Sequence, residues 1–160
     1  MTNVLIVDAE LPVANALALH LTHACAGMVE KANPIDVSAV ANFSRARSQL
    51  KEQRPALLVT ALQLRKYNGL HLVHVAKEAE LPTRCVVHTD AVDPLYAREV
   101  RELGAFYETR VRLPVVLPSY VAAVLPPRDR RETLNFDRRH FSRGGRRAAD
   151  RLSLNAAPPA

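Results

Sequence analysis

The run at residues 55–64 constrains the fold of this chain more than any other feature. It is apolar, partly β-branched and free of charged side chains. It is too short for a free-standing helix, and it is bounded by Pro55 before it and by the turn residues Asn68 and Gly69 after it. Such a run is typical of a central strand that is buried on both faces of a parallel sheet. The strand tip falls at Ala61, at the carboxyl edge where α/β proteins place their sites.

Four more strand patterns alternate with helical patterns along the chain. The predicted strands are residues 4–7, 37–40, the 55–64 run, 85–88 and 106–109. The predicted helices are residues 11–25 or slightly beyond, about 43–50, 70 to before Pro82, 94–103 with Asp93 as its cap and Gly104 as its stop, and 119–125 after Pro118. This alternation predicts a three-layer α/β fold, the flavodoxin-like (βα)5 arrangement, with a parallel five-stranded sheet in the order 2-1-3-4-5.

The positive charge is concentrated at the end of the chain. Residues 1–127 hold 13 Lys and Arg against 12 Asp and Glu, whereas residues 128–160 hold nine Arg against four acids. We therefore predict a domain at 1–127 and an Arg-rich tail at 128–160. The tail has few apolar residues and no period, so we expect it to be disordered, with a helical patch around 133–140. The arginines that suit a polyanion are Arg138, Arg139, Arg143, Arg146 and Arg147.

The cysteine pattern and the first residues favour a cytoplasmic protein. Cys25 and Cys85 lie in segments that are expected to be internal, and we predict buried free thiols. No basic stretch opens the chain, and Asp8 interrupts its first apolar run, which argues against an export signal. Residues 11–29 carry no charge, but their proline, histidine and threonine residues lower the hydropathy. We predict a helix with one buried face there and no membrane span.

Several segments resemble the receiver domains of bacterial two-component response regulators. Residues 4–10 are similar to the first strand and acidic turn of that family, and residues 54–70 are similar to its third strand and phosphoacceptor loop. Residues 85–89 resemble the fourth strand with its hydroxyl switch residue, and residues 103–107 resemble the entry to the fifth strand. The resemblance covers about residues 3–125, with the segments in the family's order. It implies a flavodoxin-like fold and a role in phosphorelay signalling.

The resemblance also identifies residues that have changed. A working receiver accepts a phosphoryl group on an Asp at the tip of its third strand and holds Mg²⁺ with acids that follow its first strand. Here Glu10 matches an acidic position, but Ala9 replaces another acid, and Ala61 stands at the phosphoacceptor position. A methyl group neither forms an acyl phosphate nor binds Mg²⁺. The resemblance therefore implies a receiver-like domain that is not phosphorylated, with no cofactor and with weak or absent Mg²⁺ binding.

Three other pocket positions are matched or partly matched. Asp8 remains of the metal site, and we expect it to accept hydrogen bonds from the next loop or to pair with Arg110 rather than to bind a metal. Thr89 is either a retained switch residue or a strand-end hydroxyl bonded to backbone. The family's Lys position falls on or near Arg110, with Arg112 and Leu113 as alternatives.

No constellation of an enzyme is visible. Two histidine pairs are spaced three residues apart on predicted helices, but no cysteine or carboxylate completes a metal site in sequence, and we expect core or surface histidines. Cys85 and His88 would point to opposite faces of their strand, which rules them out as a nucleophile pair. The chain has no glycine-rich phosphate loop. The histidine pairs are His20 with His23 and His71 with His74.

The first functional hypothesis is a protein-interaction module in two-component signalling. In the family, the face made by the fourth helix, the fifth strand and the fifth helix docks partners or forms dimers. The resemblance thus implies a signalling protein as partner, a kinase, an output protein or a second copy of the chain. The corresponding residues are Tyr96, Arg98, Tyr107, Val111, Arg112 and Tyr120.

The alternative hypothesis is binding of nucleic acid or another polyanion through the tail, with the α/β domain as scaffold. Arginine side chains suit phosphates, and Phe136, His140 and Phe141 between them are able to stack on bases. A solubilising or tethering role for the tail stays open as well. A phosphate-accepting regulator is nearly excluded by Ala61.

Overall fold

A computed structural model of the chain describes residues 1–27 and 34–126. The strands are β1 (Thr2–Val7), β2 (Ile35–Val40), β3 (Leu57–Ala61), β4 (Gln63–Leu64), β5 (Tyr67–Asn68), β6 (Arg84–Thr89) and β7 (Phe106–Thr109). The helices are α1 (Leu11–Cys25), α2 (Phe43–Gln53), α3 (Leu70–Glu78), α4 (Pro94–Glu102) and α5 (Leu113–Val124). The predictions for the tail at 128–160, including its arginines and the domain boundary before it, lie outside the described residues.

One parallel sheet of five strands organises the described part of the chain, in the order β2-β1-β3-β6-β7. Because β4 and β5 belong to a separate hairpin, this is the predicted 2-1-3-4-5 order of a flavodoxin-like α/β fold. Parallel strands end at the same edge of a sheet. That edge therefore collects the residues that follow β1, β3, β6 and β7.

Two apolar layers cover the sheet, as its strand patterns predict. All five positions of β3 are buried. In β1, Val4 and Ile6 face a layer that includes α1 and α5, whereas Leu5 and Val7 face a layer that includes α2 and α3. Burial of one such side chain contributes about 1.5–3 kcal/mol. The central strands are thereby held from both sides, and the residues at their tips are positioned by the core.

Both cysteines are free and buried, as predicted. Burial raises the pKa of both thiols, that of Cys85 to about 12, so both are neutral at pH 7. Cys85 and Val86 belong to opposite core layers, so His88, two residues after Val86, lies on the face away from Cys85. Among helices in the described ranges, none has the length and apolar character that crossing a bilayer requires.

The run at 55–64 is divided in the structure, which corrects the prediction of a single strand. The strand ends at Ala61, and β4 pairs antiparallel with β5 in a short hairpin. Asn68 accepts a hydrogen bond from the backbone N–H of Leu70 at 2.9 Å, where α3 begins. Gly69 is required by a close approach, because a Cβ there would collide with the carbonyl oxygen of Ala61. The hairpin is thus folded directly over the tip of β3.

The last helix begins earlier than predicted. The sequence predicts the core of this helix at 119–125, introduced by Pro118, but α5 begins at Leu113 and Pro118 lies inside it. Pro114 stands in the first turn of α5, where proline is tolerated. Pro118 has no N–H to bond the carbonyl of Pro114 four residues earlier. His20 of α1 fills the gap, since its Nε2 lies 3.0 Å from that carbonyl oxygen and donates to it.

This arrangement predicts an energetic coupling between the two helices. We expect His20→Ala to lower the free energy of unfolding by about 1 kcal/mol, because the Pro114 carbonyl then lacks a donor. In a Pro118→Ala background the new N–H at position 118 reaches the same carbonyl, so the cost of His20→Ala falls below about 0.5 kcal/mol. Urea unfolding of the four proteins measures the coupling. Equal costs in both backgrounds would contradict the assigned role of His20.

Candidate functional site

The carboxyl edge of the sheet brings together residues from four strands. Asp8 follows β1, Ala61 ends β3, Thr89 ends β6 and Arg110 follows β7. The backbone N–H of Arg110 donates to the carbonyl of Thr89 at 2.9 Å, so the pairing of β6 and β7 continues to the edge. Asp8 and Arg110 are 102 positions apart in sequence. The fold therefore brings these four residues to one edge of the sheet.

An ion pair between Asp8 and Arg110 occupies the centre of this edge. The carboxylate of Asp8 is fully buried, and its Oδ2 lies 3.4 Å from Nη2 of Arg110, whose side chain is 31% exposed. The other oxygen, Oδ1, accepts a hydrogen bond from the backbone N–H of Glu10 at 3.0 Å. A buried carboxylate is costly unless it is paired and hydrogen-bonded. Both expected partners of Asp8, the next loop and Arg110, are present.

The guanidinium of Arg110 also contacts two acids at the surface. Its Nη1 lies 3.8 Å from Glu10 Oε1, and its Nε lies 3.0 Å from Asp90 Oδ1. The contact with Asp90 is an ion pair without hydrogen-bond alignment. Both carboxylates are mostly exposed, so each outer pair adds little energy on its own. Sequence analysis missed Asp90, although an acid directly after Thr89 was the available signal.

His88 is a second residue that sequence analysis did not place in the pocket. It pairs with Ala61 across β3 and β6, and its side chain is fully buried. Its Nε2 lies 3.6 Å from Asp8 Oδ2, which is too far for a hydrogen bond, and both ring nitrogens lack a partner. Burial lowers the pKa of His88 to about 4, although the charge of Asp8 opposes this shift. The ring is therefore neutral at pH 7.

Mg²⁺, which the resemblance brings into question, does not fit these residues. This cation requires several oxygen ligands in near-octahedral geometry. The carboxylate of Asp8 is already engaged by the N–H of Glu10 and by the guanidinium of Arg110, and Ala9 and Ala61 offer only methyl groups. Within residues 1–27 and 34–126, no three His, Cys, Asp or Glu side chains are grouped to hold a metal ion.

Ala61 itself is enclosed and offers no reactive atom. Its side chain is 4% exposed. The backbone around it is tied down, because the N–H of Leu62 donates to the carbonyl of His88 at 2.7 Å and the N–H of Gly69 donates to the carbonyl of Leu62 at 2.8 Å. Thr89 is half-buried beside it, with its carbonyl bonded to Arg110. The backbone around Ala61 is thus fixed by hydrogen bonds, but its side chain offers no nucleophile.

Three of the six residues predicted for an interaction face line one groove, with a volume of about 400 Å³. They are Tyr107, Arg112 and Tyr120. The hydroxyl of Tyr120 donates to Glu108 at 2.8 Å, and burial together with this bond raises the pKa of Tyr120 to about 12. The hydroxyl of Tyr107 accepts from the N–H of Asp93 at 3.1 Å, which fixes the start of α4. The groove walls are thus held in place by hydrogen bonds.

The other three residues lie elsewhere. Tyr96 lines a separate depression beside the β4–β5 hairpin. Arg98 is paired with Glu102 one turn along α4, at 2.8 Å, and both side chains are largely exposed. Val111 is 85% exposed and does not line the groove. The predicted face is therefore only partly assembled as one surface.

Comparison with known proteins was made on sequence and on structure. No protein-family model matches the chain, and no curated protein matches it in sequence. A two-component response regulator from Clostridium difficile matches its structure with a TM-score of 0.65 and 17% identity, over 78% of this chain and 95% of the other. A LuxR-family DNA-binding response regulator from Staphylococcus aureus gives 0.65 and 14%, over 78% and 98%. The chain has the receiver-domain fold.

A third matching structure consists of a receiver domain by itself, so it shows how much of such a domain the chain matches. The signal receiver domain of a DNA-binding response regulator from Colwellia psychrerythraea matches with a TM-score of 0.63 and 16% identity, over 76% of this chain and 98% of the other. The described part of the chain thus spans nearly all of a receiver domain. Identities this low establish the receiver fold alone.

The central ion pair predicts a strong effect of removing its cation. We expect Arg110→Met to lower the free energy of unfolding by about 1–3 kcal/mol, because the buried carboxylate of Asp8 loses its only cation among the described residues. Arg98→Met is the matched control, since its ion pair is exposed, and should change stability by no more than about 0.5 kcal/mol. Urea unfolding at pH 7 compares the two. Equal small losses would show that Asp8 does not depend on Arg110.

The lowered pKa of His88 predicts that the free energy of unfolding falls as the pH is lowered from 6.5 towards 4, which we call the acid limb. Its pKa is about 4 in the folded protein and about 6.5 in the unfolded chain, so the unfolded chain binds more protons between these values. Stability is therefore fully present above about pH 6.5 and falls towards pH 4, by about 3 kcal/mol for this group. His88→Leu should remove this limb, and should keep or raise stability at pH 7 because two unpaired ring nitrogens disappear.

The control for this experiment is His74→Leu, which makes the same change at an exposed position of α3. Urea unfolding of each variant and of the original chain at several pH values between 7 and 4 gives the slope of the free energy of unfolding against pH. An undiminished slope in His88→Leu would show that another group causes the acid limb.

Proposed function

We propose that this chain is a receiver-like domain that does not accept a phosphoryl group and acts as a protein-interaction module in two-component signalling. The observation that carries the proposal is the methyl group of Ala61 at the tip of β3, beside a carboxylate that Arg110 already neutralises. The receiver fold and its response-regulator neighbours support the signalling context.

The chemistry of the edge supports a constant state rather than a switch. Phosphorylation changes a protein by adding charge that new contacts then satisfy. Here the acceptor is missing, and the cation that would meet added charge is held by Asp8, Glu10 and Asp90. A domain without a phosphorylation switch presents the same binding surface whether or not the signalling system is active. Its role is binding rather than catalysis, in the cytoplasm where the signalling proteins operate.

The groove along β7 is the surface that we assign to a partner. Phe106 is 42% exposed and packs against Tyr120 with ring centroids 5.0 Å apart. Arg112 and Glu108 of the groove pair with each other at 3.6 Å, and Arg101 adds positive charge at the groove wall. Aromatic anchors with a charged rim are typical of protein interfaces. The partner is a signalling protein, a kinase or an output protein, or a second copy of the chain.

Treatment with acetyl phosphate and Mg²⁺ tests the loss of phosphorylation. We expect intact-mass spectrometry to show no added phosphoryl group on the original chain, because Ala61 has no nucleophilic oxygen. The control variant Ala9→Asp/Ala61→Asp restores two carboxylates and should gain the adduct, together with Mg²⁺ affinity measurable by calorimetry. Adding Arg110→Lys should strengthen Mg²⁺ binding further, because it removes the forked guanidinium that engages Asp8.

Two results would contradict the proposal in different ways. A hydroxylamine-labile phosphoryl adduct on the original chain would show that another residue replaces the missing acceptor. Failure of the double and triple variants to bind Mg²⁺ would show that the edge does not correspond to the receiver pocket.

A further inference from the structure

Two neighbouring depressions meet at one tyrosine on the surface formed by α2 and the β4–β5 hairpin. One is lined by residues of α2, the other by residues of the hairpin, and Tyr67 lines both. They measure about 430 and about 440 Å³, within the size range of ligand sites. We call this the hairpin surface, and it is defined by Phe43, Arg47, Lys51, Arg65, Lys66, Tyr67 and Tyr96.

The hairpin surface carries cations that have no carboxylate partner. Arg47 and Lys51 line one depression, and Arg65 and Lys66 line the other. All four are exposed, none forms an ion pair within the described ranges, and no Asp or Glu lines either depression. By contrast, Arg110 at the edge of the sheet contacts three acids. Four unpaired cations around two adjoining depressions are complementary to a chain of phosphates.

The same surface presents aromatic rings in fixed positions. Tyr67 stacks on Phe43 with ring centroids 4.5 Å apart and an angle of 12°, yet its side chain remains 49% exposed. Tyr96, 36% exposed, lines the hairpin depression. Because Phe43 supports one face of the Tyr67 ring, the exposed part is held ready for contact. Proteins that bind single-stranded nucleic acid combine aromatic rings, on which the bases stack, with cations that contact the phosphates.

The turn of the hairpin places a cation where glycine is favoured. Arg65 adopts φ 54° in the two-residue turn between β4 and β5. This left-handed conformation is costly for a residue with a Cβ and costs glycine nothing extra. Arg54 and Glu80 also have positive φ, so this conformation defines the turn and is not by itself a mark of function. The turn thus carries an exposed arginine followed at once by Lys66, and both residues line the hairpin depression.

We propose that the hairpin surface binds single-stranded nucleic acid, with phosphates on the four cations and bases against Tyr67 and Tyr96. The lining favours this ligand over an acidic protein segment. Gln63 and Asn68 line the hairpin depression, and serines of α2 line the other, so the walls offer polar groups to bases and sugars. An acidic amphipathic helix would need an apolar groove. The site shares no lining residue with the groove along β7, and it does not depend on the function proposed above.

Fluorescence anisotropy of the full chain with a labelled short oligothymidylate tests the proposal. The double change Arg47→Gln/Lys51→Gln should weaken binding about 5- to 10-fold and reduce the slope of log K against log salt by about 1.4, since each phosphate contact on a single strand contributes about 0.7. The matched control is Lys77→Gln/Arg84→Gln, which removes the same charge from exposed, unpaired residues away from the hairpin surface. The control should stay within about twofold of the original chain.

Two further substitutions separate binding from folding. Arg65→Gly removes a cation and relieves the positive φ, so it should keep or raise the melting temperature while weakening binding about 3- to 5-fold. Tyr67→Phe keeps the ring and should bind like the original chain, whereas Tyr67→Ala should bind about 5- to 10-fold more weakly.

Three outcomes would overturn the proposal. The first is an oligothymidylate affinity that the hairpin variants do not lower, or no binding by the original chain. The second is an equal loss in the Lys77→Gln/Arg84→Gln control, which would show that net charge alone matters. The third is competition by a polyglutamate peptide of equal charge that matches competition by unlabelled oligothymidylate, which would assign the surface to acidic proteins.

Discussion

The carboxylate of Asp8 is the constraint on which the edge of this receiver fold depends. It follows the buried strand β1 and has no exposure to solvent, so its charge must be met inside the protein. The backbone N–H of Glu10 and the guanidinium of Arg110 meet it. The same guanidinium also pairs with Glu10 and Asp90. The charge of Asp8 acts on the neighbouring His88 ring as well, where it raises the pKa against the lowering by burial. The ion pairs of Arg110 thus join residues that follow three strands, β1, β6 and β7.

This arrangement changes what the fold is suited to do. The receiver fold places a rigid, enclosed position at the tip of β3, and the β4–β5 hairpin folds over it with the help of Gly69. With Ala61 there, this position offers a methyl group and no carboxylate. What remains are surfaces whose shape is fixed by the core, namely the groove along β7 and the hairpin surface. The binding roles proposed above rest on these two surfaces.

Local sequence patterns were enough to predict most of the fold but only part of the site. The sheet order, the burial of β3 and the Asp93 cap of α4 were predictable, because apolar period and capping chemistry are short-range signals. The start of α5 was not, because proline usually ends a helix, whereas here Pro118 lies inside it and a histidine 94 positions away bonds the carbonyl that Pro118 leaves without a donor. The β4–β5 hairpin has two residues per strand, too few for a period. His88 and Asp90 entered the site only through tertiary contacts with Asp8 and Arg110.

The most direct test of the central claim is a ¹⁵N–¹H NMR titration with Mg²⁺ and beryllofluoride, a stable mimic of a bound phosphoryl group. Beryllofluoride needs both a carboxylate at the tip of β3 and a metal ion beside it. The ion-pair account predicts that the amides of Asp8, Ala61, Thr89 and Arg110 keep their positions at saturating concentrations of both. Saturable shifts confined to those amides would show that the edge still works as a phosphoryl site, and would contradict the account.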